Sequence, residues 1–234
     1  MRKALIALAI LLAGAAPAAA VQRGGAARQP RLTTSTNWEH LVVATPDGGF
    51  RMGNPNAAVR VIEYASITCP HCRAFSMEGS AGMRERVRTG RVSWEIRPII
   101  IFPSDPGIFL LLKCQGARQF FDTADRLWAL QDQWAPRMGE RQAQWENAPA
   151  RQRVGAIVRA GEIDRFFQQR GMNAQRITAC LANDGALNQL TANSQRYTER
   201  ENVSRTPTFA INGQIVEAAT WGGLQPLLDA ALRR

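Results

Sequence analysis

Cys69-Pro70-His71-Cys72 sits where an extended stretch gives way to a helical one, and this junction restricts the chain more than any other. Before it, Val59-Arg60-Val61-Ile62-Glu63-Tyr64-Ala65 reads as a buried strand. After it, Arg73 to about Arg88 reads as a helix, because Phe75, Gly79, Met83 and Val87 recur every four positions. The first sulfur therefore falls at a helix N-terminus. Unpaired N–H groups and the helix dipole favour negative charge there, and hence a thiolate. A thiolate is the attacking species in thiol–disulfide exchange and also the better leaving group. Glu63, six residues earlier, puts a carboxyl inside the strand, which is costly unless it is paired or protonated.

The chain has 234 residues, 45% of them hydrophobic, enough for one or two domains with a sizeable core. Residues 1–20 read as a cleaved secretory signal peptide rather than an anchor. Arg2-Lys3 is a basic start, Ala4 to Leu12 is too short an apolar run to span a bilayer, and Ala18-Ala19-Ala20 suits cleavage after Ala20. Residues 21–37 are polar and aperiodic, as in a disordered tail. Export implies an oxidising periplasmic or secreted location, where Cys69, Cys72, Cys114 and Cys180 can be held in disulfides. Four cysteines allow three pairings. The formal charge is +10, carried almost entirely by scattered arginines. That pattern reads as a solvated surface, and with export it argues against nucleic acid as a partner.

Along the chain, Leu41-Val42-Val43, a turn at Pro46 to Gly49, and Phe50 predict two short strands, with His40 in the first and without a role. Gly79 and Gly82 weaken and bend the helix after Cys72, and Gly90 ends it. Val92, Trp94 and Ile96 alternate with polar residues, giving a strand up to Pro98 and a right-handed βαβ unit with parallel strands. Ser104 caps a helix with Pro106 in its first turn, and residues 104–200 are helical throughout, long enough for a subdomain of their own. Thr206 to Ile211 and Gln214 to Val216 flank the hairpin signal Asn212-Gly213. Leu224, Leu227, Leu228 and Ala231 mark a last amphipathic helix.

The order β-α-β, helical insertion, β-β-α resembles the thioredoxin superfamily, and within it the DsbA-like thiol–disulfide oxidoreductases. The resemblance covers Trp38 to Arg234. It is carried by Cys69-Pro70-His71-Cys72, by Glu63 at the place of a buried acid, by Thr206-Pro207 before the hairpin, and by the insertion. It implies an α/β thioredoxin fold made of residues 38–103 and 201–234. It implies an enzyme in which Cys69 is the nucleophile and Cys72 resolves the mixed disulfide. Pro70 would sit in the first helical turn, His71 would stabilise the Cys69 thiolate, and Glu63 would relay the proton of Cys72. Pro207 would be cis, with Thr206 beside the sulfurs to pair with an extended substrate chain.

The implied partners are cysteine-containing polypeptides and a membrane thiol–disulfide protein that resets the site; no cofactor is implied. Thr before the cis-proline is common in isomerases and reductases, whereas the best-known oxidase has Val. The direction of electron flow is thus open between an oxidase and an isomerase or reductase. A metal or chaperone role for Cys69, His71 and Cys72 as soft ligands is a third reading. Cys114 and Cys180 fall on apolar helical stripes and should both be buried. They read as a structural disulfide, or else as two inert thiols.

Overall fold

The central strand of the sheet, β3 (Val59–Ala65), is hydrogen-bonded on both edges in a computed structural model that describes residues 37–234. The expected signal peptide and all but the last residue of the tail lie outside the described residues. β3 runs parallel to β4 (Val92–Pro98) and antiparallel to β5 (Thr208–Ile211). β1 (Val42–Ala44) and β2 (Phe50–Gly53) extend one side and β6 (Gln214–Val216) the other, in the order β1-β2-β4-β3-β5-β6. Asn212 and Gly213 both take positive φ, 50° and 85°, as a two-residue hairpin between β5 and β6 requires.

Side chains alternate across β3, so each face meets a different core. Val59, Val61 and Ala65 join Phe75, Met83, Leu224 and Leu228 beneath α1 (Pro70–Arg88) and α10 (Trp221–Leu232). Tyr64 joins Tyr197, Ile99 and Ala210 beneath α9 (Asp184–Arg200). Among the described residues no helix is long and apolar enough to cross a membrane.

Between β4 and β5 the chain forms α2 (Asp105–Gln115), α3 (Phe120–Ala129), α4 (Gln131–Glu140), α5 (Gln142–Glu146), α6 (Ala150–Ala160), α7 (Ile163–Gln169), α8 (Ala174–Leu181) and α9. This insertion shares a continuous apolar cluster with the sheet: Phe120 stacks on Phe50, and Phe121 packs against Trp94.

Several local expectations need correction. His40 lies in a short 3-10 helix, Trp38–His40, and not in a strand. The polar positions of β4 are buried, because Arg97 pairs with Glu95, Asp47 and Glu201 and lies over the rings of Tyr64 and Tyr197. α1 runs unbroken through Gly79 and Gly82. A Cβ on Gly82 would stand 2.3 Å from the Trp221 ring, so the glycine admits α10 rather than bending α1. Ser104 makes no cap bond to α2; its hydroxyl meets Thr68 Oγ1 at 2.9 Å.

Cys114, at the end of α2, and Cys180, on α8, are bonded to each other with Cα atoms 6.1 Å apart. Cys180 is buried, but Cys114 is only half-buried, since the last turn of α2 reaches the surface. The bond closes 66 residues. On loop-closure entropy, replacing both cysteines by Ala is expected to lower the unfolding free energy by about 4 kcal/mol, read from urea denaturation. An unchanged midpoint would show that the bond does not stabilise the fold.

Candidate active site

The turn after β3 delivers Cys69 to the N-cap of α1, with extended backbone angles of −73° and 123°. Pro70 opens the helix at a position where no N–H is needed. One turn later the helix turns its buried face to the sheet, so Cys72 is fully covered while Cys69 keeps 5% of its surface exposed. That difference leaves Cys69 as the only one of the pair that a partner sulfur can reach. Both are free thiols.

The electrostatics separate the two sulfurs further. The Cys69 thiol is held down at about 5, mainly because the Cys72 thiol donates to its sulfur; burial works against this, and Thr206 and the backbone N–H groups of Cys72 and His71 assist. Cys72 is pushed the other way, first by burial, then by donating to Cys69 and by the charges of Cys69 and Glu63. The His71 side chain is exposed, and this residue addresses the sulfur through its backbone N–H.

Thr206-Pro207 is a cis peptide, and the Thr206 carbonyl accepts from Cys69 Sγ at 3.4 Å. The Thr206 hydroxyl is buried without another partner. Once the sulfur is ionised it can no longer donate to the carbonyl, and this hydroxyl becomes its natural donor.

Glu63 has no exposed surface. It points to the α1 side of β3, where Oε2 accepts from Trp94 Nε1 at 3.1 Å and Oε1 has no partner. Burial, assisted by the charge of Asp125, raises its carboxyl to about 8, so it is protonated at neutral pH. Trp94 is the neighbour that sequence reasoning missed. It read as a core residue, and only the pairing of Val61 with Trp94, two positions before Glu63, brings its indole N–H to the carboxyl.

A near-surface thiolate, a buried thiol that hydrogen-bonds it and a protonated carboxyl behind them are the parts of a two-electron dithiol–disulfide couple. A profile of the thioredoxin family matches residues 45–230. This chain belongs to the thioredoxin family. A Rickettsia prowazekii relative provisionally named a protein-disulfide oxidoreductase is 25% identical over 188 residues, covering 80% of this chain and 62% of the relative. A Rickettsia bellii protein of the same provisional name is 22% identical over 77% of this chain and 63% of its own. The chain thus spans about three-fifths of the length of these relatives.

Among solved structures, a protein-disulfide isomerase from Novosphingobium aromaticivorans superposes with a TM-score of 0.76 at 29% identity, covering 80% of this chain and 99% of that one. The α-DsbA1 of Wolbachia pipientis shares the fold, insertion included, at TM-score 0.63 and 15% identity over 78% and 90% of the two chains. In this chain the helices enter between β4 and β5. Among the described residues, no three His, Cys, Asp or Glu side chains gather as a metal site.

Proposed function

We propose that this thioredoxin-family chain is an exported thiol–disulfide oxidoreductase that oxidises cysteine pairs in newly secreted or periplasmic proteins. In the oxidised enzyme Cys69 and Cys72 form a disulfide. A substrate thiolate attacks Cys69 Sγ, the Cys69–Cys72 bond breaks, and Cys72 leaves with the electron pair. The second substrate thiolate then attacks the substrate sulfur bonded to Cys69 and expels Cys69 as a thiolate. Substrate loses two electrons and two protons; the enzyme ends with one thiolate and one thiol, one proton passing to solvent.

The observation that carries this reading is the donor set around Cys69 Sγ, which makes it the better leaving group in the second step. Glu63 exchanges the proton of Cys72, and the backbone beside Thr206 receives the extended substrate. A membrane thiol–disulfide protein restores the disulfide.

Running the couple as an isomerase is the second reading, favoured by Thr206 and by the likeness to the Novosphingobium protein. The test is oxidative refolding of a reduced two-cysteine protein by the oxidised enzyme. Wild type is expected to transfer one disulfide per chain, and Cys69→Ser none. A wild type that leaves the reduced substrate untouched but reshuffles a scrambled one would replace the oxidase with the isomerase.

A further inference from the structure

We propose that the helical insertion fixes the nucleophile through a clamp on the turn before it: Asp105, acting through Ser66, and Gln131 are positioning residues for Cys69. This rests on the thiol–disulfide reading of that residue.

The turn from Ser66 to Cys69 lies beyond the end of β3, yet its polar groups are held from two sides. Ser66 Oγ accepts the N–H groups of Thr68 and Cys69, each at 3.1 Å. A hydroxyl can offer both lone pairs to donors only if its single proton goes elsewhere. Here it goes to the carboxylate of Asp105, at 2.9 Å. Asp105 has no exposed surface and also receives the Thr68 N–H and hydroxyl, at 3.2 and 3.0 Å. Its other oxygen takes the N–H groups of Ile101 and Phe102, at 3.0 and 2.9 Å. Five donors converge on it and oppose the rise in pKa that burial imposes.

The carbonyls of the turn are held from the opposite side. Trp128 Nε1 donates to the Ser66 carbonyl at 3.1 Å. The Gln131 amide donates to the carbonyls of Ile67 and Cys69 at 2.8 and 3.2 Å.

Cys69 therefore has its N–H tied to Ser66 and its C=O tied to Gln131, so neither peptide plane beside it is free to rotate. Its own N–H is spent, and the N–H groups of His71 and Cys72 are the ones left facing the sulfur. Asp105, Trp128 and Gln131 come from α2, α3 and α4, all within the insertion. None of them touches the sulfur.

The test uses the full chain with Cys114–Cys180 intact and the Cys69–Cys72 pair reduced. The pH dependence of Cys69 alkylation by iodoacetamide is measured for wild type, Ser66→Ala and Gln131→Met, with urea midpoints taken in parallel. Gln131→Met keeps the length of the side chain and removes the donors. Both variants are expected to move the alkylation midpoint up by about one pH unit, a tenfold loss of thiolate below the midpoint. A merely structural role moves the urea midpoint and leaves the alkylation profile in place. If Ser66→Ala does not fold, Gln131→Glu sets a carboxylate against two carbonyls and must move the profile at least as far as Gln131→Met. A low wild-type midpoint that the folded variants share overturns the clamp alone. A wild-type midpoint at 8 or above overturns the exchange chemistry itself, and the clamp with it.

Discussion

Titrating the reduced protein at 240 nm, with Cys114–Cys180 left bonded, is expected to reveal one thiolate per chain with a midpoint at about 5. A thiol whose pKa falls from 9.0 to about 5 gains stability in the folded, reduced state. That gain is complete above pH 9, where the unfolded thiol is also ionised, and is lost as pH drops through 5. At pH 7 two of the four units apply, worth about 2.7 kcal/mol or a hundredfold in the equilibrium for reduction. The full shift, about 5 kcal/mol, is reached only above pH 9. Below pH 9 Cys72 does not offset this, because its thiol is protonated there in both the folded and the unfolded chain; above pH 9 its raised thiol works against the gain.

The proton count gives a second signature. Above pH 5 reduction takes up one proton for two electrons, and below it two. The potential, referred to a pH-independent electrode, should therefore fall by about 30 mV per pH unit above the midpoint and by about 59 mV below it. A midpoint near 7 would favour reductase chemistry, and one at 8 or above would leave Cys69 an ordinary thiol.

Glu63→Gln is expected to stabilise the oxidised protein at neutral pH and to slow its turnover. The Glu63 carboxyl is raised from 4.5 to about 8, so its native state resists ionisation. Its contribution to stability is fully present below pH 4.5 and is lost as pH rises through 8. At pH 7 about 2.5 units of that penalty apply, or about 3 kcal/mol. Urea unfolding of wild type and Glu63→Gln should therefore agree near pH 4 and diverge toward pH 8, with the variant more stable. Both side chains accept from Trp94 through one oxygen, so the comparison isolates the titration. The variant cannot supply a proton to the departing Cys72, so its mixed disulfide with substrate should form more slowly. Parallel stability curves from pH 4 to 8 would show that Glu63 reaches water.

Much of this was legible in the residues because local rules operate over short distances. Asn212-Gly213 specifies its hairpin through the positive φ that both residues tolerate. Pro70 after Cys69 marks a helix start wherever that helix packs. Alternation misled at β4, since Ser93, Glu95 and Arg97 look like a solvent face yet are buried, Arg97 in ion pairs with Glu95 and Glu201. Hydropathy cannot register a charged residue whose partners lie at Asp47 and Glu201. Gly82 misled for a similar reason: its meaning depends on Trp221, far along the chain.

The sequence by itself determined the strand–Cys-x-x-Cys–helix junction, the order of elements, the hairpin and the acid at position 63. Each of these depends on backbone preference or on periodicity within one segment. Only the tertiary structure decided that Thr206 meets the Cys69 sulfur, that Trp94 meets Glu63, and that the insertion grips the turn before the nucleophile. Those are hydrogen bonds between groups 31 to 137 positions apart. Such bonds carry no local signature, because what makes them strong is the burial that the completed fold provides.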